Sequence, residues 1–253
     1  MPIKKELNLT KEFIRTDFKL RYHGSYLGFF WAFLKPLLMF AVLLVVFSKF
    51  MRFEYENYPL YLLLGIIMWS FFSEATLLSM NSILQKGGLI KKIYFPRIII
   101  VISSSIVAFI TLFFNLLVFA FFYVFLKQTF NWTILLSLFF IVELYIIVFG
   151  FALMLSALYT KFRDLLHIWE VLLQIGFWAT PIIYPLQIVP EKYRFFMFLN
   201  PFARIIHNTR LVLINHQLPS IKDSFFPLLI GVAVLLLGYF IFSKRVSFFP
   251  EEV

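Results

Sequence analysis

Residues 98–126 read IIIVISSSIVAFITLFFNLLVFAFFYVFL and contain no charged side chain. A hydrocarbon core about 30 Å thick is crossed by about 20 helical residues, so this stretch can cross a bilayer as a single helix. The run is long and continuous, whereas the strands of a transmembrane barrel are shorter and alternate in polarity. The stretch therefore predicts a membrane-embedded α-helix.

Five further apolar stretches have the same character. Together the six predicted spans are Phe29–Phe50, Tyr58–Met80, Ile98–Leu126, Trp132–Leu158, Leu165–Tyr184 and Phe225–Phe242. Of the 253 residues, 62% are hydrophobic and only 14% are charged, whereas charged residues make up about a quarter of a soluble domain. A soluble core could not hide 36 Phe side chains without large exposed apolar patches. We predict an all-α membrane protein with one transmembrane domain, residues 1–253.

Composition also bears on the kinds of site that the chain can build. It has no Cys, which excludes disulfides and thiolate metal centres, and its four His are scattered, so we expect no metal site. The net charge of +10 is explained by basic loops beside anionic headgroups, without nucleic acid as a partner. The first 26 residues are polar and lack the pattern of a signal peptide, so we expect the first span to be retained.

The positions of Lys and Arg predict that both termini are cytoplasmic, because short loops rich in these residues stay on that side. Four segments that share one side of a six-span arrangement carry most of them. These residues are Lys4, Lys5, Lys11, Arg15, Lys19 and Arg21; Lys86, Lys91, Lys92 and Arg97; Lys161 and Arg163; and Lys244 and Arg245.

Residues 1–26 precede the first span and are predicted to hold an amphipathic helix at the cytoplasmic interface. Its apolar stripe comprises Ile3, Leu7, Ile14, Phe18 and Tyr22. Another face is polar, with Lys11 and Arg21 bordering the stripe, and it carries Lys5, Glu12, Arg15 and Lys19. The alternative interpretation is a solvated tail.

Residues 85–97 connect spans two and three. Gly87-Gly88 predicts a helix break after span two, and Pro96 marks the start of the next element. Between them, Leu89–Tyr94 could form one or two helical turns with a basic face. The local pattern equally fits an ordinary positive-inside loop.

Residues 180–224 contain five prolines: Pro181, Pro185, Pro190, Pro201 and Pro219. The apolar run Phe195–Leu199 is too short to span and favours a re-entrant or interfacial helix. Irregular backbone is tolerated at membrane depth only against protein or a water-filled cavity. We expect this segment to form a gate on the outer face.

Four ionisable residues fall inside the predicted spans: Lys35, Glu74, Glu143 and Glu170. Such groups are costly in lipid and face a protein interior or an aqueous cavity. They could form a proton or ion relay. The favoured interpretation is interhelical hydrogen bonding, with Lys35 reaching to the interface, because no second acid lies one or two turns from Glu143.

The sequence lacks a nucleotide-binding loop, since Gly87-Gly88 is followed by Leu89 and not by the Gly-Lys-Ser/Thr that such a loop requires. Metalloprotease and nucleophile-elbow motifs are missing too. We therefore predict no enzymatic activity and no bound cofactor for this chain. The rival hypothesis, a membrane enzyme acting on lipid-linked sugar with Glu143 or Glu74 as base, requires convergent acids or a metal.

Aromatic residues near helix breaks or charges form a further candidate set: Trp31, Trp169, Phe177, Trp178 and Tyr184. Interface belts and lipid contact account for most aromatic residues in membrane proteins. Aromatic faces also stack on sugar rings with little demand for one geometry, so a pore lined by them could pass a long carbohydrate.

Several motifs, in order, resemble those of polysaccharide-exporting permeases of ATP-binding cassette transporters, which export O-antigen, capsular polysaccharide or teichoic acid. Residues 21–28, RYHGSYLG, with Trp31 and Pro36, resemble the family's entry to span one. Residues 91–97 resemble its segment before span three. Residues 177–184, Asn200-Pro201-Phe202 and Arg210 resemble its outer gate. His23 replaces a residue that is usually basic or polar, so no role is carried onto it.

The resemblance implies two copies of the chain in the inner membrane, with two cytoplasmic ATPase subunits that bind ATP and magnesium. The cargo would be a glycan linked to a polyprenyl diphosphate. Channel or gate candidates are Trp31, Phe177, Trp178, Tyr184, Asn200 and Arg210. A helix that couples to the ATPase would comprise Leu89, Ile90, Lys91, Lys92, Ile93 and Tyr94, flanked by the Ile3–Tyr22 helix. A related permease that exports a small hydrophobic drug or lipid is the alternative.

Overall fold

The computed structural model describes residues 3–51 and 55–252, and all their regular structure is helical. This confirms the all-α prediction. The helices are α1 (Ile3–Tyr22), α2 (Trp31–Leu44), α3 (Tyr58–Gln85), α4 (Gly87–Lys92), α5 (Ile98–Phe125), α6 (Ser137–Tyr159), α7 (Leu165–Ala179), α8 (Glu191–Leu199), α9 (Pro201–Leu213), α10 (Ile221–Arg245) and α11 (Phe249–Glu252). Short 3₁₀ turns flank several of them, and a π turn, Val45–Phe50, extends α2.

Five helical stretches of the described chain are long and apolar enough to cross a bilayer: Gly28–Phe50, Tyr58–Gln85, Ile98–Phe125, Trp132–Tyr159 and Ile221–Phe248. They confirm five of the predicted spans. Two spans were predicted too short, since the second continues past Met80 to Gln85 and the last covers Ile221–Arg245 rather than Phe225–Phe242.

The predicted end of the fifth span at Tyr184 is wrong. Helix α7 has 15 residues and ends at Ala179, which at 1.5 Å per residue gives about 22 Å, less than the hydrocarbon thickness. Thr180 is extended, with ψ 139°, because the ring of Pro181 disfavours helical backbone at the preceding residue. The following segment therefore continues as irregular backbone.

Helix α3 is the centre of the bundle and packs against α2, α5, α6, α7 and α9. Nearly every residue of its first half is buried, including Leu60, Leu62 and Ile66. A second apolar cluster at the other end of the bundle joins Phe13, Ile90, Phe95 and Phe249. The two clusters give the bundle one core along α3 and another beneath the α3–α5 connection.

Two prolines inside helices are each matched by an asparagine. Pro36 of α2 lacks the N–H that would bond the carbonyl four residues earlier, and the Asn115 side-chain amide donates to that carbonyl, on Ala32, at 3.3 Å. In α10, Pro227 likewise leaves the Asp223 carbonyl free, and Asn208 donates to it at 2.9 Å. Backbone groups at membrane depth must be satisfied internally, so these asparagines let both helices keep their proline.

Helix α1 packs on α5 through a face that overlaps the predicted stripe but is centred on Phe13. Phe13 is buried, and Leu9, Asp17 and the stripe residues Ile14 and Phe18 are half-buried, whereas Leu7 of the stripe is exposed. The side chains of Ile3 and Tyr22 lie outside the described residues. The stripe is displaced because Asp17 and Arg21 make ion pairs with the bundle, which a count of apolar residues cannot reveal.

The break after α3 falls at Lys86, not at the two glycines as predicted. Gly87 and Gly88 open the short helix α4, which ends at Lys92 rather than Tyr94. Ile93 is extended, and Pro96 precedes α5 as expected. A short helical element in this connection is therefore present, shifted by two residues.

The irregular backbone after α7 is held by side chains of α3 and α9. The four consecutive carbonyls of residues 181–184 all accept hydrogen bonds from side chains of these two helices: Arg210 to Pro181 (2.6 Å) and Ile182 (2.8 Å), Tyr58 to Ile183 (3.1 Å), and Tyr61 to Tyr184 (3.2 Å). Buried carbonyls without helix partners are otherwise costly. The segment is thereby fixed although it lacks regular structure.

Arg210 is 2% exposed and is the principal donor in this arrangement. Its guanidinium also donates to the Tyr61 carbonyl at 2.9 Å and lies 3.4 Å from the Tyr61 ring centroid. Gly65, one turn along α3, leaves room for it, since a methyl group there would overlap the Arg210 Nη2 atom. The fork of donors fits three carbonyls at once, which an ammonium cannot do.

Helices α6 and α10 are in backbone contact. A methyl group on Gly150 would lie 2.7 Å from the Leu235 amide nitrogen, and one on Gly238 would overlap the Gly150 carbonyl oxygen. Small residues permit such close approach in lipid, where helix association depends on packing. The two helices therefore form a tightly packed pair.

Gly238→Ala should destabilise the bundle by about 1–3 kcal/mol, because the added methyl meets backbone that cannot move aside cheaply. The measurement is the thermal midpoint of the detergent-purified protein. Gly88→Ala is the matched control, since open space surrounds Gly88 and alanine favours a helix more than glycine does. Equal midpoints for the two variants would contradict the backbone contact.

Arg210→Met should cost about 1–3 kcal/mol for each carbonyl left unsatisfied, on Pro181 and on Ile182. Thermal melting and proteolysis of the 180–190 segment report the loss. Arg194→Met serves as control for melting and for cleavage within residues 180–186, because Arg194 of α8 is partly exposed, pairs with Glu191 and donates to a later loop carbonyl, on Val189. Unchanged melting and protease resistance of Arg210→Met would contradict the anchoring role.

Candidate functional site

A cavity of about 1090 Å³ opens between α2, α3, α7 and the end of α1. We call it the aromatic cavity. Its aromatic lining is Trp31, Trp69, Phe177 and Trp178, and its polar lining is Arg21, Ser25, Lys35, Ser70, Ser73, Glu74, Glu170 and Gln174. A space of this size, with rings beside charged groups, suits a large polar molecule that also has apolar faces.

The wall between α3 and α7 is built from interlocking rings. Trp69 packs edge-on against Phe177, with centroids 6.3 Å apart, and a methyl group on Gly176 would lie 2.8 Å from the Trp69 ring. Behind this wall, Trp169 donates its indole N–H to Thr76 at 3.0 Å. Trp169 is thus a buried packing residue, while Trp69 presents an edge to the cavity.

The charges of the cavity are arranged as one ion pair and two further groups. Arg21, at the end of α1, pairs with Glu74 of α3, and the two side chains are 25% and 20% exposed. Glu170 lies 3.7 Å from His167, and its side chain is 51% exposed. Lys35 is an exposed residue on the α2 side. Charged groups here are consistent with an aqueous cavity rather than a lipid-facing surface.

The structure brings together six of the residues selected from sequence: Trp31, Lys35, Glu74, Glu170, Phe177 and Trp178. Three others anchor the irregular backbone of residues 180–184, which we call the outer segment after its predicted position, and the cavity lining does not include them. Arg210 binds loop carbonyls, as above. Asn200 caps α9 by accepting from the Phe202 N–H and donates to Thr180 at 3.0 Å, and the Tyr184 hydroxyl donates to the Trp178 carbonyl at 3.1 Å.

Glu143 lies apart from both groups. It is 1% exposed in α6, and neither carboxyl oxygen has a hydrogen-bond partner among the described residues. The expectation of an interhelical hydrogen bond is therefore met at Glu74 but not at Glu143. Glu74 and Glu170 line the same cavity, but the described residues contain no group of three or more His, Asp or Glu that could hold a metal.

Several cavity residues were missed in the sequence, chiefly on α3. Trp69, Ser70, Ser73 and Leu77 line the cavity with Glu74. Spacings of three and four residues place these side chains on one helical face. The serines close to Glu74 could have indicated this polar face in the sequence, but the long apolar run of α3 obscured it.

A second candidate surface lies at the α3–α5 connection, where the sequence predicts contact with an ATPase. Ile90 is buried and Leu89 half-buried, whereas Lys91, Lys92, Ile93 and Tyr94 are exposed, Tyr94 to 92%. We call these four residues the coupling face. Exposed apolar side chains beside two cations, on an element anchored from below, are typical of a docking surface for another protein.

The coupling face rests on α1. Lys86 is 2.7 Å from Asp17, and the Phe13 and Phe95 rings meet edge-on with centroids 5.6 Å apart. Phe95, the residue after Tyr94, is buried. Displacement of the coupling face would therefore be transmitted to α1, and through Arg21 and Glu74 to the aromatic cavity.

The C-terminal segment holds the coupling face from the other side. Phe249 is fully buried in the same cluster, and Arg97 donates to the Val246 carbonyl. Glu252 accepts from Thr160 and from Arg245, each at 2.6 Å. Burial alone would raise the pKa of Glu252, but these hydrogen bonds and the charges of Arg245 and Lys161 outweigh it and lower the pKa below its ordinary value. The carboxylate therefore stays ionised and paired.

Comparison with known proteins gives a consistent result over most of the chain. Residues 8–214 match the model of the family described as ABC-2 type transporter. The O-antigen export system permease protein RfbA of Myxococcus xanthus is 30% identical over 247 residues, covering 95% of this chain and 93% of the relative. Two proteins of the same name from Klebsiella pneumoniae are 30% and 28% identical, each covering 93% of this chain and 91% of the relative.

The helical spans, the match to the family model and the full-length relatives agree with the resemblance seen in the sequence motifs. A permease of this kind works with an ATPase subunit and is not itself an enzyme. The chain belongs to the ABC-2 type transporter family, as a multi-pass membrane permease.

Proposed function

We propose that this permease exports a lipid-linked polysaccharide, foremost O-antigen, from the cytoplasm across the inner membrane. The aromatic cavity is the observation that carries the proposal. Its rings offer faces for sugar stacking, and its ion pair, lysine and serines offer hydrogen bonds to hydroxyl groups. The relatives with the name O-antigen export system permease support the same cargo.

The charges of the cavity favour a glycan over the alternative cargo, a small hydrophobic drug or lipid. Apolar cargo gains little from Lys35, Glu74 and Glu170, and would have to desolvate them. A polymer of hydroxylated rings can replace the water at these groups while it slides along Trp31 and Trp178. The cavity thus discriminates by chemistry as well as by size.

The working unit in this proposal is a homodimer. Lys35 and Glu170 are exposed at membrane depth on α2 and α7, and around them lie exposed apolar residues such as Met39, Leu172 and Ile175. Charged groups are expensive against lipid, so a second copy facing α2 and α7 would cover the cavity and close a channel. Helix α7, with residues 180–186 above it, would complete a sixth crossing and keep both termini cytoplasmic.

Energy would enter through the coupling face. Two cytoplasmic ATPase subunits, each holding ATP and magnesium, would receive Ile93 and Tyr94 in a groove, with Lys91 and Lys92 at its rim. The anchoring of α4 on α1 and the C-terminal segment supports this assignment, because a coupling element has to transmit force. Helix α1 would lie at the cytoplasmic interface beside it, and residues 180–224 would form the outer gate.

Trp31→Ala combined with Trp178→Ala should slow glycan export roughly fivefold or more, because two aromatic contacts worth about 0.5–1.5 kcal/mol each are lost. Export is measured as surface glycan per cell at matched protein level. Trp132→Ala is the control, since Trp132 is as exposed as Trp178 but lies outside the cavity. Equal export by the double variant and the control would count against an aromatic-lined path.

Ile93→Asp or Tyr94→Asp should reduce export roughly tenfold or more, because a charge placed in an apolar interface is not compensated. Co-purification of the ATPase subunit should fall in parallel, while the melting temperature of the permease stays the same, since both side chains are exposed. Tyr193→Asp, at an exposed tyrosine of α8, is the control. Retention of the ATPase by both coupling variants would exclude this surface.

A further inference from the structure

A second cavity of about 220 Å³ lies among α3, α5, α6 and α9. We call it the lateral cavity. Helix α3 separates it from the aromatic cavity: Met68 lines the lateral cavity, and the next residue, Trp69, lines the aromatic one. The two cavities therefore lie on opposite sides of the same buried helix.

The lining of the lateral cavity is almost entirely apolar. Its floor is formed by Leu64, Met68, Leu112 and Leu144, all buried. Three lining hydroxyl groups are already engaged: Tyr123 donates to Thr129, Ser137 to Ile134 and Thr209 to Ile205, at 2.6–2.7 Å. The described lining thus offers no free donor, and its occupant has to be apolar.

The mouth of the cavity lies between α5 and α6. Ala120, Phe130 and Leu138 line it and are exposed, Phe130 to 74% and Leu138 to 61%. Ala120 and Leu138 belong to helical stretches long and apolar enough to cross a bilayer, and Phe130 lies in the connection between them. In a bilayer the mouth would therefore face hydrocarbon close to the membrane surface. A void in contact with hydrocarbon forfeits dispersion contacts that a chain of methylene groups would restore.

The dimensions also indicate what fits. The volume is below the range of about 300–1,000 Å³ that encloses a drug-sized ligand. A flexible hydrocarbon chain needs only a narrow slot and can leave its headgroup at the membrane surface. The cavity lies in the half of the bundle that carries α8 and α9, within reach of a lipid from that leaflet.

We propose that the lateral cavity binds one acyl chain of a membrane phospholipid, which enters between α5 and α6. Thr209 and Leu213 of α9 contact the bound chain, and Arg210, between them in sequence, holds the carbonyls of Pro181 and Ile182. The acyl chain therefore supports the helix that anchors the outer segment. This inference concerns lipid and does not depend on the cargo or the ATPase.

The test uses the full chain in nanodiscs of phosphatidylethanolamine doped with the same lipid carrying a diazirine in one acyl chain. After irradiation, mass spectrometry should locate adducts on the buried floor residues Leu112 and Leu144 as well as on the exposed Phe121 and Val142. Adducts confined to Phe121 and Val142 would overturn the proposal. So would labelling of the floor by a free diazirine-bearing alkane but not by the phospholipid.

Ala120→Trp provides the matched test, because an indole at the mouth should occupy the slot. Floor adducts should fall by about an order of magnitude, with adducts on Phe121 and Val142 unchanged. Ala233→Trp, at an exposed alanine of α10 outside both cavities, should leave all adducts as in the wild type. Floor labelling that persists in Ala120→Trp would refute entry between α5 and α6. Because no glycan or ATPase is present, failure here would leave the export proposal standing.

Discussion

The need to satisfy backbone groups away from water governs the least regular part of this protein. Where α7 ends at Ala179, four successive carbonyls lose the helical partners they would have had, and Arg210, Tyr58 and Tyr61 supply the missing donors. The same constraint explains the pairing of Pro36 with Asn115 and of Pro227 with Asn208. The buried side chains of Tyr58, Tyr61, Asn115, Asn208 and Arg210 are thus placed where the backbone departs from a regular helix or lacks an N–H donor.

Helix α3 connects these regions, because it contacts each of them along its length. Its first turns carry the tyrosines that hold the outer segment, its middle separates the two cavities, and its inner half carries Glu74. Its last residue, Gln85, is followed at once by Lys86, which pairs with Asp17 of α1. A shift of α3 would therefore move the outer segment, the cavity wall and the coupling face together.

The end of the bundle that carries the α3–α5 connection has exposed apolar residues on a packed base. The exposed Ile93 and Tyr94 stand on buried Ile90 and Phe95, which pack with Phe13 and Phe249. Glu252 and Arg245 tie the C-terminal segment to the end of α6, and α6 is in backbone contact with α10 through glycines. The coupling face is thus supported by α1 on one side and by the packed α6–α10 pair on the other.

Long apolar runs are a local property, and from them the sequence by itself determined the helical membrane class and five of the spans. Motif order added the family. Six cavity residues were also found from sequence. Lys35, Glu74 and Glu170 were selected because charges inside spans are costly in lipid, and Trp31, Phe177 and Trp178 because they lie near helix breaks or charges.

Only the tertiary structure decided which residues act together. It separated Trp31 and Trp178, which line the cavity, from Asn200, Tyr184 and Arg210, which hold the outer segment, and it paired Arg21 with Glu74 across 53 positions of sequence. It also showed that α1 packs through a face centred on Phe13 and that α7 ends at Ala179, before the predicted end of the span. These outcomes depend on contacts between helices distant in the chain, and neither hydropathy nor periodicity within one helix contains that information.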